Sequence, residues 1–542
     1  MEGAGQRHAV AIVGGGPVGL ALALDLARRG VASVVIEADD AVSEGSRAIC
    51  FSRRTLEILE PLGVASAVEA KGLAWTRGKS FFRDRLVFEL EMPHGPDERY
   101  FPMYNLQQCW LEQFLVDRVA KTPLIDLRWQ SRVTGVTPKA GGVGLTIATP
   151  EGNYELQADY AVACDGARSS MRQLMNLKLG GASYEGRYLI ADIRLRSDYP
   201  TERRAWFNPP SNPDATVLMH KQPDDIWRID YQLNDEDDAE AELQESRILS
   251  RIQDHLDFIG ETGPWELDWF SLYKAHCLCL DNYVQGRVIF AGDAAHLVPI
   301  FGVRGLNSGM ADMNNLGWKL AFVIKGLSGE ALLSTYAGER RAATLEIFRE
   351  AGKTTTFMTP PSRGYRLMRE AALSLAVDHP FTRPLVNPRQ SQPYDYVASP
   401  LNSGQMHEDD FAAGPRIGAP LRHLRLDGGQ GYLLDHLGSG FTGLYFVGAE
   451  GIGEEMRAAF AALERETGLF RPVLVTKKPL ALQGCAEISD PGGKLFKEHG
   501  AAAGTLYLIR PDGHVAARWR HMTAAALRPA FLQAFMRKDR VS

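Results

Sequence analysis

The sequence predicts an α/β protein: a unit built around a parallel sheet, interrupted by mostly β sequence and followed by a second, smaller βα unit. Three observations carry this. Short apolar runs end in glycine-rich or acidic turns at three separate places, residues 14–19 (GGGPVG), 164–169 (CDGARS) and 286–296 (GRVIFAGDAAH), as expected where buried parallel strands stop at a ligand. Between the second and third turns, apolar and polar residues alternate at residues 188–195, 215–218 and 226–233, the period of half-buried strands. Beyond residue 411 the strand-and-helix pattern resumes on its own.

Residues 9–13 form an apolar run that reads as the first buried strand. Gly14 allows the tight turn after it, Gly16 lets the backbone approach a pyrophosphate, and Gly19 permits close helix–strand packing. The helix predicted over residues 17–29 opens on Pro17, where a missing N–H costs little, and stops at Gly30. Its free N–H groups and positive dipole end face the phosphate. A second apolar run, residues 32–36, ends in Glu37. An acid there accepts hydrogen bonds from ribose hydroxyls and disfavours a 2′-phosphate. Strand, loop, helix, strand and acid in register form a Rossmann-like unit.

The other two turns separate FAD from NAD. Residues 161–164 stop at Asp165-Gly166, with Arg168 and Arg172 following, and residues 288–291 stop at Gly292-Asp293. A carboxylate at a strand end takes a hydroxyl hydrogen bond from a ribityl chain, while the next backbone N–H groups face phosphate. Singly each is a common strand-to-turn sequence. Three in this order describe a large redox cofactor gripped from several sides.

Further motifs sit between and after these turns: SRAICFSRRTLEIL (46–59), QCWLE (108–112), GLNSGMADMNNLGWKLA (305–321) and YAGERR (336–341). Over residues 9–341 the chain resembles the class A, single-component FAD-dependent aromatic hydroxylases, most of all the 3-(3-hydroxyphenyl)propionate hydroxylase and phenol hydroxylase branch. The resemblance implies a FAD-binding domain of the para-hydroxybenzoate hydroxylase type (residues 1–183 and 281–359) with an interleaved, mostly β substrate domain (184–280). Residues 360–400 are rich in Pro, Arg and Ser and read as a linker or extended arm (360–410), and the RPDGHVAARW stretch (510–519) resembles the thioredoxin-like C-terminal domain of the phenol hydroxylase branch (411–542). By the same resemblance Arg47 and Gln108 sit beside the flavin, and Asp293 holds the ribityl chain. Residues 299–307, with Pro299, Gly305, Leu306 and Asn307, wrap the isoalloxazine edge, while Asp165 and Gly166 serve FAD and the incoming nicotinamide nucleotide. The implied reaction is hydroxylation of a phenolic ring with O₂ and NADPH or NADH as co-substrate, through a flavin C4a-hydroperoxide that Arg47 stabilises. The protein orients an electron-rich ring and excludes water.

The chain departs from its relatives at Gly302-Val303-Arg304-Gly305, where they usually read G-Q-G. Arg304 pairs with an anionic substrate or cofactor phosphate, or points outwards. Ile49 stands where some phenol-hydroxylating relatives carry a polar side chain. Candidates for the substrate base or its surroundings are Tyr273 and His276, just before the third turn, with His220 and Tyr231 in the alternating region. Trp206, Phe207 and Trp227 are either walls of an aromatic pocket or ordinary core.

Composition fits a cytoplasmic enzyme. Among 542 residues, 45% are hydrophobic and the net charge of −6 is spread among interspersed acids and bases, so no basic stripe argues for nucleic acid. There is no membrane-length apolar run and no signal-peptide core. The six cysteines are scattered and read as reduced thiols, and no metal-ligand spacing appears. Helices are predicted at residues 238–260, 309–324 (with Asn307 and Ser308 as caps) and 524–536. Strands are predicted at 443–447, 473–476 and 506–509, with RPDG (510–513) as a turn. The C-terminal region has one cysteine, Cys485, so thiol–disulfide exchange is excluded and a structural or homodimer-contact role expected. Two alternatives remain: a tailoring oxygenase acting on a polycyclic natural product, and a non-catalytic FAD-binding module. A halogenase is demoted because no WxWxIP element is present.

Overall fold

The computed structural model describes residues 7–45, 48–234, 236–299, 302–386, 392–403, 411–480 and 485–536. Two compact units result. The first comprises Met1–His94, Tyr100–Met313 and Thr344–Ser391; the second comprises Gly95–Arg99, Asn314–Ala343 and Gln392–Ser542.

The first unit is built on a sheet ordered Val284–Gln285, Val288–Phe290, Gly152–Ala163, Arg7–Val13, Ser33–Ile36, Ile125–Arg128. From Val288–Phe290 onward every neighbour is parallel, and the N-terminal strand lies inside the sheet, not at its edge. Residues 10–13, 34–36, 160–163 and 288–290 of these strands are buried, which explains their unbroken apolar runs. The register fixes where the strands stop. Val13 pairs with Ala163, and Ala163 pairs with Phe290, so three strands end level with one another.

A second sheet in this unit has the order His296–Leu297, Trp265–Cys279, Gly180–Leu195, Ile226–Leu233, Thr216–Lys221, Arg203–Phe207, Arg77–Phe82, Arg85–Glu91. It takes in two strands from far ahead of the alternating region. Under one face lies the helix Glu245–Ile259, whose Ile248, Ile252 and Leu256 pack on Leu189, Ile193, Trp206, Trp227, Ile229 and Tyr231. The single helix expected over 238–260 is two, Ala239–Glu242 and Glu245–Ile259, because Gln244 is extended and restarts the helix.

Two other expectations change. Residues 360–400 do not all run as an extended arm: Arg363–Asp378 is a helix, capped by the Ser362 side chain, which accepts from the Tyr365 N–H, and anchored by Leu373 and Ala376. The prolines that suggested a linker bound this helix instead of entering it. The helix expected from residue 309 runs over Gly305–Ile324, with the Arg304 carbonyl accepting from the Ser308 N–H at 2.8 Å. Asn307 and Ser308 therefore lie inside the first turn and do not cap it.

The second unit centres on a sheet ordered Ala486–Ser489, Phe470–Thr476, Phe441–Phe446, Leu506–Ile509, Val515–Trp519, its first three strands parallel and the last two antiparallel. Helices Glu454–Thr467 and Ala524–Ala534 cover one face through Met456, Phe460, Leu527 and Phe531. Beside them, Arg510 donates to both oxygens of Glu339 at 2.7 and 2.9 Å and to Asp512 at 2.6 Å, while Lys319 donates to Glu339 at 2.7 Å. All four are buried. Among the described residues no helix is long and apolar enough to cross a membrane.

Candidate active site

The level strand ends place the three sequence turns side by side. Gly14 has φ of +108°, and a Cβ there would meet the Cys164 carbonyl at 2.4 Å. A Cβ on Gly19 would meet the Gly14 carbonyl at 2.0 Å. Behind the loop the packing admits only glycine; in front, a Cβ on Gly16 or Gly166 would touch nothing within 4 Å. Glu37 accepts from the Gly15 N–H at 2.5 Å and from the Asp39 N–H at 2.9 Å, so the acid also holds the loop. Asp165 accepts through one oxygen from Ser170 and the Met171 N–H, both at 3.0 Å. Its other oxygen, Oδ1, is buried with no partner among the described residues.

Side chains from elsewhere lock the turns together. Arg172 donates to the carbonyls of Ala167 at 2.6 Å and Ala294 at 3.1 Å. Asp312, fully buried, accepts from the Gly292 N–H at 2.9 Å and lies 2.7 Å from His296 Nε2. Val18 fills the space left by two glycines: a Cβ on Gly292 or Gly309 would stand 3.2 or 2.7 Å from its Cγ2. A face open at two glycines, helix N–H groups behind it and an unspent carboxylate oxygen fit a pyrophosphate and a hydroxyl donor. FAD has both.

Arg47 lies outside the described residues. Gln108 accepts from the Ala48 N–H at 3.2 Å and donates to Glu112 at 2.8 Å, and Glu112 accepts from both Ser43 N and Oγ at 2.7 Å. Asn307 accepts from the Ser52 N–H at 2.9 Å and the Thr55 hydroxyl at 2.6 Å, and donates to the carbonyls of Val303 at 2.7 Å and Cys50 at 3.1 Å. Pro299 is buried, and Gly305 and Leu306 open the helix beside it. Val303 takes φ of +60°, a strained value for a β-branched residue.

Residues 7–351 match the family described as FAD binding domain. A flavin-dependent monooxygenase of Mycobacteroides abscessus is 31% identical, over 61% of this chain and 70% of that protein. The chain belongs to the FAD-binding monooxygenases. The 3-(3-hydroxy-phenyl)propionate/3-hydroxycinnamic acid hydroxylase of Burkholderia cenocepacia is 28% identical over 99% of this chain and 98% of its own. In fold, the chain is similar to a flavin-dependent monooxygenase solved with FAD and substrate, with a TM-score of 0.78 at 24% identity over 99% of this chain and 100% of that one. The non-catalytic alternative therefore falls: a flavin-dependent monooxygenase is an enzyme.

In this monooxygenase the aromatic residues singled out from sequence are mostly core. Trp206, Trp227 and Tyr231 belong to the cluster under the helix Glu245–Ile259, and Phe207 packs with Met358 and Leu373. The Tyr231 phenol donates to the Arg251 carbonyl at 2.6 Å and burial holds its pKa well above the usual value. Tyr273 donates to the Val298 carbonyl at 3.1 Å, and burial, then the Asp293 charge, raises its pKa too. Both keep their protons. His276 is engaged with Ser183 at 3.0 Å, its pKa lowered by burial and Lys274. Arg304 is 8% exposed, so it does not point outwards; it feels Glu350 and Glu346, and burial lowers its pKa.

Sequence reasoning missed the polar side of the second sheet. Ile226–Leu233 is buried along its whole length, yet its alternation reads as one solvated face. Arg228, Asp230 and Gln232 occupy that face, joined by Asp192, His220 and Arg203 from neighbouring strands. The only available signal was an excess of charge opposed to charge on adjacent strands. Burial pushes Asp230 up to about 6 against the pull of Arg228 and Arg203, and holds the His220 imidazole well below its usual value with Arg203 and Arg228 adding to the effect.

Proposed function

We propose that the chain hydroxylates a phenolic aromatic ring, using FAD, O₂ and NADPH or NADH. The observation that carries this is the level ending of three strands at glycine and acid turns, with a buried polar sheet face in the same unit. When bound, FAD takes hydride from the nicotinamide nucleotide and activates O₂. The chain's own residues do the rest. Gly16 and the helix behind it hold the pyrophosphate; Glu37 meets the ribose; Asp165 Oδ1 and Asp293 take ribityl hydroxyls. Gln108 and Asn307 shape the segments carrying Arg47 and Val303, and the buried sheet excludes water around the ring.

The FAD-binding part comprises residues 1–183 and 281–359, the substrate part 184–280 together with the strands Arg77–Phe82 and Arg85–Glu91. The C-terminal region, 411–542, is thioredoxin-like: a parallel pair joined by a helix, with an antiparallel hairpin beside it, supports that reading. The reaction is tested by following NADH and NADPH oxidation against hydroxyphenylpropionates, hydroxybenzoates and polycyclic phenols while measuring H₂O₂. Substrate-stimulated oxidation with little peroxide, and a product heavier by one oxygen atom, is expected. Turnover of polycyclic phenols alone moves the substrate to a natural-product ring; stimulation by none of them overturns the reading.

A further inference from the structure

Four side chains on the inner sheet face are left unspent by the fold. Asp192 and Arg228 neutralise one another through two hydrogen bonds of 2.8 and 2.9 Å. Around them Arg203 and His220 are 7% exposed, Asp230 8% and Gln222 1%. None of these four makes a side-chain hydrogen bond or ion pair among the described residues, and His220 Nδ1, Asp230 Oδ1 and both amide atoms of Gln222 are fully enclosed. More than about nine in ten buried polar groups in proteins are bonded. Four exceptions on one face are aimed at something the fold does not itself supply.

Strand alternation places them together. Trp227, Ile229 and Tyr231 face the helix Glu245–Ile259, so Arg228 and Asp230 face the other way. His220 and Asp192 are both register partners of Arg228. Arg204 pairs with Met219 of the apolar cluster, which turns Arg203 to the polar side. Cys50 marks where this side leads. Its thiol feels Arg203, Arg228 and Asp230. It also belongs to the apolar cluster of Ile49, Trp75, Met92 and Met103, against which Val303 packs, and its carbonyl accepts from Asn307. An apolar wall, a polar floor and the segment assigned to the flavin edge thus meet at one residue.

We propose that Asp230 and Arg203 receive the reacting hydroxyl of the phenol, Asp230 taking its proton and Arg203 holding the phenolate oxygen. The assignment rests on the hydroxylase reading and names the base which that reading leaves open. The phenol O–H bond breaks, the proton forms an O–H bond on the Asp230 carboxylate, and the electron pair stays on the ring oxygen against the Arg203 guanidinium. No oxidant is consumed. The deprotonated ring is the electron-rich form that an electrophilic oxygen attacks. The charges favour a hydroxyl over a carboxylate: with Asp192 and Arg228 paired, one cation and one anion remain, matching an oxygen that both accepts and donates. A carboxylate would set a second negative charge against Asp230. The other groups facing Asp230 do not compete for the proton. His220 is held neutral by burial and the two arginines, burial pushes the Cys50 thiol up to about 12, and the buried Tyr188 phenol, raised likewise, is bonded to Thr359.

The test uses FAD-loaded wild-type enzyme, Asp230→Asn, Asp230→Glu and Arg203→Gln, with 4-nitrophenol and 3-(3-hydroxyphenyl)propionate as probes. Absorbance titration of 4-nitrophenol on the wild-type enzyme should show its ionisation midpoint lowered by about one pH unit relative to free probe, as expected for a cation within a few ångströms. Arg203→Gln should abolish that shift. In Asp230→Asn, hydroxylation should fall by about 10²-fold with NAD(P)H oxidation continuing into H₂O₂, and the acid limb of the wild-type profile near the Asp230 value should disappear; Asp230→Glu should restore part of it. Hydroxylation by Asp230→Asn with wild-type rate and pH profile overturns the proposal and leaves the hydroxylase reading standing. An ionised bound probe with no hydroxylation of any phenol supports the subsite and overturns that reading. If Asp230→Asn loses its flavin, the wild-type titration decides, and an unshifted midpoint overturns the proposal.

Discussion

The guanidinium of Arg172 donates to the carbonyl of Ala294, 3.1 Å away and 122 residues further along the chain. Its other terminal nitrogen donates to Ala167 at 2.6 Å. One buried side chain therefore ties the turn after the strand Gly152–Ala163 to the turn after Val288–Phe290, so two of the three turns share one anchor. Charge-assisted bonds of this kind are the stronger class.

Replacing Arg172 with Leu should loosen both turns together. The loss is about 3–6 kcal/mol for two bonds to a charged donor, and FAD affinity should drop by about tenfold or more. Fluorescence titration of apoprotein with FAD measures it. Arg172→Lys keeps the charge without the fork and should fall between.

Two glycines of the first loop should behave oppositely. Gly14→Ala forces a Cβ to 2.4 Å from a carbonyl at φ +108°, so soluble yield and thermal stability should collapse. Gly16→Ala meets nothing within 4 Å, so the apoprotein should melt as wild type while FAD binding weakens. Wild-type FAD affinity in Gly16→Ala would move the pyrophosphate elsewhere.

Asn307→Ala should act on coupling as well as stability. It strands the Ser52 N–H, the Thr55 hydroxyl and the carbonyls of Val303 and Cys50; each unsatisfied buried group costs about 1–3 kcal/mol. A lower melting temperature together with more H₂O₂ per NAD(P)H oxidised is expected, read by calorimetry and a peroxide assay.

Tyr273→Phe should be mild. It removes one hydrogen bond to Val298, worth about 1 kcal/mol, from a phenol that keeps its proton. Hydroxylation within a few-fold of wild type is expected in steady-state assays; a loss comparable to that of Asp230→Asn would return the proton-transfer role to Tyr273.

In the second unit, stability should rise with pH in two separate windows. Burial raises Glu339, but Arg510 and Lys319 outweigh it and hold the carboxyl well below 4.5. Its contribution is full above that unfolded value and is lost as pH falls towards the folded one. Glu339→Ala should cost about 3–5 kcal/mol at pH 7, with the gap to wild type closing in acid. Lys319 adds a second rise at the alkaline end. Burial lowers it from 10.5 to about 8, so the unfolded chain binds its proton more tightly in that window and stability rises with pH across it. Calorimetry of the full chain and of Lys319→Met between pH 7 and 10 should show the rise in wild type and a flatter profile in the variant.

By itself the sequence determined the three strand-end turns, the helix after the first and the cofactor they suit, because each rests on local backbone chemistry. A glycine is required where a carbonyl closes in, and an acid where hydroxyls arrive. The tertiary structure alone decided the rest. Period-two alternation at residues 226–233 reads the same for a wetted face and for a buried polar one, so Arg203, Asp230 and Gln222 were invisible as a group until eight strands were placed side by side. Asn307 looks like a helix cap in one dimension; only folding brings Cys50, Ser52 and Thr55 to it. Residues 363–378 read as a linker from composition, yet burial of Leu373 and Ala376 makes them a helix. Local rules name a residue's conformation, but what its side chain faces is set by elements hundreds of residues away.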